Sequence, residues 1–219
     1  MSGNRGTNSA EPPPIPPDAP AAKRGGLSTT AIVLIVCGVL ALPVVAGVVG
    51  AVAVMVPKIQ ETKRKTTCMT NLMQLSHAYL EDALENGAKA RRWSGSAMWL
   101  SRRHRVGESR LLCAGDPSVR LPESDTDRAA WDAVDLANPA RHLCSYAGRD
   151  FVEFPIDPEI NDLQPIGACV HHRGGAVVAF DVGTVLFMTR KDLGISEDDE
   201  IRCGPESASP LLRKLVGGN

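Results

Sequence analysis

Aromatic residues are scarce in this chain of 219 residues, where Phe, Trp and Tyr together make up 4%. A hydrophobic core must therefore be built mainly from Val, Leu, Ala and Ile. An excess of charge of one sign is missing too, since the formal net charge is −1 and the pI about 6.5. A nearly neutral chain exerts no general attraction on nucleic acids, so we expect no nucleic-acid partner.

Charge is absent altogether from residues 31–56, a run of 26 predominantly apolar residues. At about 1.5 Å of rise per residue, a helix of this length spans the roughly 30 Å hydrocarbon core of a bilayer. A secretory signal has a shorter apolar region of about 7–15 residues, followed by a small-residue cleavage site. The sequence therefore predicts a single transmembrane helix at 27–57, which serves as a signal anchor in the lipid bilayer.

The anchor separates two different regions. Residues 1–26 are rich in proline and predict a disordered cytoplasmic tail, whereas 58–219 are long enough for one domain. Basic residues flank the span almost evenly and lean slightly toward a cytoplasmic C-terminal domain. Five cysteines beyond the span favour an oxidising compartment with two disulfides. We therefore place the domain outside the cytoplasm, anchored in the inner membrane of the cell envelope.

Helical periodicity follows the span from residue 58 to about 85. Cys68, Leu72, Leu75, Tyr79 and Ala83 recur at three- and four-residue steps and form one apolar face. The Asn-Gly pair at 86–87 is a suitable helix end, because glycine adopts the left-handed cap conformation. Anchor and amphipathic segment together predict a helix of more than 50 residues, interrupted by its prolines.

The clearest strand signal is a hairpin near the end of the chain. Two β-rich runs, 175–180 and 184–189, flank a three-residue loop in which Gly183 supplies a positive φ. Shorter strands are expected at 109–113, 144–148 and 151–156, and a short helix or strand at 211–216. These elements predict an α+β fold in which the long N-terminal helix packs on a small antiparallel sheet.

Four further segments of the chain belong together as a set of motifs. They are TCMTNLMQL at 67–75, LLCAGDP at 111–117, SYAG at 145–148 and HRGGAVVAFDVGTV at 172–185. In this order they resemble the pilin-like pseudopilin family of type II secretion, whose helix carries a Cys-x-Asn-Asn-Leu-Lys-Gln-Ile signature. Cys-Pro-Ser-Asp and Ser-Tyr elements and a closing His, nine residues, Asp-Gly hairpin follow it in the family. In the last segment, the motif positions are His172, Gly174, Gly175, Asp181 and Gly183.

The resemblance implies a pilin-like fold and a non-enzymatic subunit of a secretion or pilus-type envelope assembly, which contacts other pilin-like subunits through its membrane helix. It also implies processing between Gly26 and Leu27. The fifth residue after that junction is usually Glu in the family and is Ala31 here. This departure favours the alternative of an uncleaved single-pass protein with an exoplasmic binding or sensing domain.

The cysteine and histidine residues allow three kinds of chemistry, namely disulfides, a zinc site or a nucleophilic pair. We favour disulfides among Cys68, Cys113, Cys144 and Cys169, in particular a Cys144–Cys169 bridge between paired strands. Zinc bound by His142, Cys144, Cys169 and His171 is the alternative, although its one-residue spacings are unusual. A Cys169 nucleophile with His171 or His172, oriented by Asp181, lacks any nucleophile motif. We therefore expect no catalytic residues, no cofactor and no metal.

Overall fold

The computed structural model describes residues 28–136 and 143–217, and the chain divides into two compact units, 1–51 and 52–219. The predicted proline-rich tail at 1–26 and the Gly26–Leu27 junction lie outside the described residues. The first helix, α1 (Thr29–Asn86), is continuous through Pro43 and Pro57, so the expected interruption at these prolines is not found.

In the first unit, α1 begins after Ser28, whose hydroxyl accepts a hydrogen bond from the Ala31 N–H at 3.2 Å. This is a helix N-cap, which satisfies one of the free N–H groups of the first turn. The most apolar 18-residue window of α1 has a mean hydropathy of 3.0 and is 0% buried. By length and composition, α1 is the one described helix that is able to cross a membrane.

In the second unit, the remainder of α1 carries the predicted apolar face. Cys68, Leu72, Leu75 and Tyr79 are all at most 1% exposed. The helix ends at Asn86 and is followed by Gly87 at a φ of +55°, as the Asn-Gly pair predicts. Three shorter α-helices follow in the described part of the chain: α2 (Ser96–Leu100), α3 (Arg103–Val106) and α4 (Asp125–Asp132).

Within residues 28–136 and 143–217, five antiparallel strands form a single sheet in the order β4-β3-β2-β1-β5. They are β1 (Ala147–Arg149), β2 (Pro165–His172), β3 (Gly175–Phe180), β4 (Val185–Thr189) and β5 (Leu215–Val216). The predicted α+β class, with a long helix and a small antiparallel sheet, is confirmed. The predicted β3–β4 hairpin is also present, with Gly183 at a φ of +81° in its loop.

Two of the shorter expected strands are wrong. The 109–113 segment lies largely in a 3₁₀ helix, Glu108–Leu111, and 151–156 forms turns. The carbonyl oxygens of Phe154 and Pro155, in the second of these segments, accept hydrogen bonds from the buried Arg149 guanidinium at 2.6 and 2.9 Å. They therefore bind a side chain instead of the backbone of a neighbouring strand. The expected strand at 144–148 is shifted to β1, and 211–216 contains both a 3₁₀ turn and β5.

Alternate residues of the sheet enter two separate cores. On β3, Val177 and Ala179 belong to a cluster that includes the buried face of α1 and Trp99, which we call the helix-side core. Their neighbours Ala176, Val178 and Phe180 belong to a second cluster with Leu193, Leu212 and Leu215, which we call the rear core. The period of two along a strand therefore gives the sheet two buried faces.

Candidate metal centre

Four buried side chains converge within the helix-side core, and we call them the Cys3His quartet. They are Cys68 of α1, Cys113 of the loop after the Glu108–Leu111 turn, and Cys169 and His172 of β2. Their sulfur and ring-nitrogen atoms all lie within 4.8 Å of one another. None of the four residues is more than 4% exposed.

The helical periodicity of α1 places Cys68 at the quartet. Cys68 lies one turn before Leu72 on the buried face, so the packing that buries the leucine also buries the thiol. Glu61 lies two turns earlier on the same side of α1. The residue between them on this face, Lys65, places its ammonium 4.0 Å from the ring centroid of Phe187 on β4. This face of α1 is therefore fixed against the sheet on both sides of the thiol.

A tight loop positions Cys113. The Asp116 N–H donates to the Cys113 carbonyl oxygen at 2.9 Å, and the Gly115 N–H donates to the Cys113 sulfur at 3.3 Å. A Cβ at Gly115 would lie 2.5 Å from the His171 carbonyl oxygen, so only glycine lets the loop approach β2 this closely. An N–H aimed at sulfur stabilises a thiolate, the form of cysteine that binds metals.

An extra residue in β2 brings Cys169 and His172 to the same face. Side chains three residues apart on a regular strand point to opposite faces. Here Cys169 pairs with Val177 and His172 pairs with Gly175, so three steps along β2 match only two along β3. This β-bulge shifts the alternation by one residue and turns His172 back toward the helix-side core.

The two ring nitrogens of His172 have different neighbours. Nε2 lies 3.6 Å from the Cys113 sulfur, and Nδ1 lies 3.6 Å from Oε1 of Glu61. The second distance is slightly longer than a hydrogen bond, and among the described residues Nδ1 has no hydrogen-bond partner. The same carboxylate oxygen accepts the Arg173 N–H at 3.2 Å, which fixes it beside the ring.

The thiols influence one another strongly. Hydrogen bonds with the Cys169 and Cys68 thiols, together with His172 and the Gly115 N–H, hold the pKa of Cys113 far below its usual value. The same hydrogen bond with Cys113 raises the pKa of Cys68, and burial raises that of Cys169. Within the quartet, negative charge on sulfur is therefore favoured at Cys113 and disfavoured at Cys68 and Cys169.

The disulfide prediction is wrong for this structure, because none of the six cysteines, all of them in the described part of the chain, is in a disulfide. The favoured Cys144–Cys169 bridge fails for a geometric reason. The Cys144 sulfur lies within 3.6 Å of the Tyr146 backbone N and O, whereas Cys169 faces Cys68, Cys113 and His172. Burial also raises the pKa of Cys144 to about 12.

The zinc alternative paired the wrong residues. His142 lies outside the described residues, and Cys144 contacts Tyr146. His171 places Nε2 3.2 Å from the Asp116 carboxylate, outside the quartet. Of the three described residues in that set, Cys169 alone is at the site, so the candidate ligands found here differ from the ones weighed in the sequence.

The nucleophile hypothesis meets an obstacle at Asp181. Its carboxylate accepts the Gln164 N–H at 3.1 Å, and its own N–H donates to the Gln164 carbonyl oxygen at 2.9 Å. These bonds hold it at the end of β3 opposite to His172, with the six residues of that strand between them. An attacking thiol must also reach its substrate, and Cys169 is 0% exposed.

The remaining motif glycines shape the two hairpins. Gly174, at a φ of +81°, lies in the turn between β2 and β3. A Cβ at Gly175 would lie 2.1 Å from the Met188 carbonyl oxygen, so a side chain there would separate β3 from β4. These residues hold His172 at the end of β2, and Asp181 and Gly183 close the next hairpin.

No family model, curated protein or solved structure matches this chain. The pilin-like resemblance therefore stays a prediction. The structure does reveal a signal that sequence reasoning missed, because three of the four family-like segments each contribute one member of the quartet: Cys68, Cys113 and His172. The fourth member precedes His172 with two residues between them, a spacing within the usual zinc range.

Proposed function

We propose that this chain is a non-enzymatic, pseudopilin-like, membrane-anchored subunit of a secretion or pilus-type envelope assembly. The observation that carries the proposal is the apolar window of α1, none of which is buried. Water makes exposure of so many valines and leucines costly, at roughly 25 cal/mol per Å² of apolar surface, so this part of the helix requires lipid or partner helices around it.

The second unit supports the same role by its construction. A helix face packed on an antiparallel sheet leaves no open cleft at the quartet, whose members are all at most 4% exposed. The side chains best suited to chemistry are therefore placed where a substrate does not reach them. This arrangement favours a structural or assembly function over catalysis.

The side of the membrane on which the domain lies is inferred from the proposed assembly. The cysteines do not support this orientation, because their thiols are not in disulfides. We place 58–219 outside the cytoplasm. Protease added to cells stripped of their outer layers then cleaves the domain that contains Trp131, whereas a cytoplasmic marker protein survives. Survival of the domain until the cells are lysed with detergent would reverse the orientation.

The alternative, an uncleaved single-pass protein with a binding or sensing domain, is favoured by Ala31 at the position where the resembling family usually has Glu. N-terminal sequencing of the membrane-extracted protein separates the two. A chain that starts at Leu27 supports the assembly subunit, whereas an intact Met1 overturns it in favour of the fixed anchor.

Contacts between membrane helices offer a second test. Gly47 and Gly50 are each open, with no heavy atom within 4 Å of an added Cβ, and each is four residues from an alanine. Small residues at this spacing let two helices approach closely. We expect Gly50→Leu to lower cross-linking between anchored subunits, with Gly38→Leu as the control at an equally open glycine. Equal cross-linking in both variants would exclude this helix face.

A further inference from the structure

We propose that Cys68, Cys113, Cys169 and His172 bind one Zn²⁺ in a closed, tetrahedral, structural site. The inference is independent of the proposed function, because it rests on the geometry of the helix-side core alone. It replaces both the expectation of no metal and the ligand set that the sequence had offered.

The distances fit a mononuclear site. With Zn–S bonds of about 2.3 Å and a Zn–N bond of about 2.0–2.1 Å, a tetrahedron has S···S edges of about 3.8 Å and S···N edges of about 3.6 Å. The Cys113 sulfur and His172 Nε2 are 3.6 Å apart, already at the second value. No pair of donor atoms in the quartet exceeds 4.8 Å, so closing the tetrahedron requires movements of about 1 Å at most.

The donor set suits zinc and argues for a structural site. Three thiolates and one imidazole form one of the common structural combinations, whereas catalytic sites keep a fourth position for water. All four positions here are supplied by the protein, and their burial leaves no room for a substrate. Zinc with three thiolates carries one net negative charge, which the Gly115 N–H beside the Cys113 sulfur partly offsets.

Glu61 supplies the outer support that metal-bound histidines usually have. When Nε2 of His172 binds the metal, Nδ1 carries the proton and faces the Glu61 carboxylate, 3.6 Å away. A shift of a few tenths of an ångström makes this a hydrogen bond, which satisfies a buried nitrogen that has no other hydrogen-bond partner in the described part of the chain. The carboxylate is held in place by the Arg173 N–H.

The site joins segments that are far apart in the chain. It ties α1 to the 113–118 loop and to the bulged end of β2, since Cys68 precedes Cys113 by 45 residues and Cys169 by 101 residues in the sequence. A buried tetrahedral centre therefore acts as a crosslink within the helix-side core. It performs the task that sequence analysis had assigned to disulfides, with the same type of residue.

The test is elemental analysis of the full chain, extracted in detergent and purified without chelators or added metal. We expect one zinc per chain in the unaltered protein and in the control Cys144→Ser, which alters a thiol that is equally buried but outside the quartet. Cys169→Ser loses stoichiometric zinc, and His172→Cys keeps it as a four-cysteine site. Full zinc in Cys169→Ser, or its loss in the control, overturns the assignment.

Two further measurements do not require a ligand variant to fold. Cobalt added to the metal-free protein gives the absorption bands of tetrahedral cobalt thiolate, and Glu61→Gln lowers zinc affinity by about 10–100-fold in competition with a chelator. A disulfide between any two of Cys68, Cys113 and Cys169, found by non-reducing mass spectrometry of the native protein, overturns the proposal. So does another metal at full occupancy.

Discussion

The two faces of one small sheet are built in different ways. The helix-side core contains three thiols and a histidine in contact, together with Trp99 and the Tyr79–Phe151 stack, whose ring centroids are 5.7 Å apart. The rear core is almost entirely aliphatic and includes one thiol, Cys203, whose pKa burial raises to about 12. Aliphatic packing closes the rear, whereas specific polar geometry determines how the helix side fits together.

The largest expected effect comes from metal removal. If zinc crosslinks the helix-side core, a chelator speeds amide hydrogen exchange around Cys68 and at the His172 end of β2 by more than about a hundredfold. Exchange around Leu212, in the rear core, changes far less. Mass spectrometry of exchanged peptides measures both. Equal acceleration on the two faces would show that they open as one unit.

A matched pair of leucines compares ordinary packing on each face. Leu72 and Leu212 are both 0% exposed, one in each core, and each Leu→Ala change creates a cavity that lowers the free energy of unfolding by about 2–5 kcal/mol. Denaturant unfolding of the full chain in detergent measures the loss. We expect the Leu72→Ala loss to change when the metal is withdrawn, because Cys68 lies one turn away. The Leu212→Ala loss should not change, and a shift there of equal size would contradict the contrast.

A smaller effect is expected at the start of α4, the helix that brings Trp131 to the helix-side core. The Ser124 hydroxyl accepts the Asp127 N–H at 3.1 Å, and the Asp127 carboxylate accepts the Ser124 N–H at 3.2 Å, which forms a capping box. Ser124→Ala should lower the free energy of unfolding by about 1 kcal/mol. Thr126→Ala, at an exposed position of the same helix, is the control and should have little effect. Equal losses in both variants would show that the capping box contributes nothing.

The smallest effect at neutral pH is expected for Tyr79→Phe. Burial raises the pKa of Tyr79, although Arg91 lowers it in part, and its hydroxyl makes no hydrogen bond of standard geometry to any residue that the structure describes. Removing that hydroxyl keeps the stack on Phe151 and should change the free energy of unfolding by less than about 1 kcal/mol.

The same substitution has a pH signature. A raised folded-state pKa means that the contribution of Tyr79 to stability is complete below the unfolded pKa of about 10 and is lost as the pH rises above it. Tyr79→Phe should therefore lose less stability than the unaltered protein above about pH 10. Parallel stability curves for the two proteins between pH 8 and 11 would contradict this assignment.

Local patterns were sufficient for much of the fold. The buried stripe of α1, its end at Asn86 and the β3–β4 hairpin all follow from periodicity and glycine placement. The 109–113 and 151–156 strands were wrong because partners distant in sequence decide those segments. In particular, no nearby residue indicates that Arg149 is buried and takes the carbonyl oxygens of Phe154 and Pro155.

The site was less predictable than the fold. Each thiol was visible in the sequence, but which thiols meet depends on the packing of α1 and on the register of β2. His171 and His172 are adjacent, and only the bulge decides which of them enters the helix-side core. The number of cysteines therefore indicated that the domain is crosslinked. It could not distinguish disulfide bonds from a metal ion bound by several thiols.

The bulge in β2 makes this part of the chain more tolerant of a deletion than of an insertion. Deleting Val170 would remove the extra residue and leave the imidazole two positions after Cys169, where strict alternation puts both side chains on one face. An added residue beside Val170 would instead turn the imidazole toward the rear core or, in a strand without the bulge, carry it further along β2 and away from Cys169. A descendant gene that gained a codon here would encode all four proposed ligands and still be unable to assemble them.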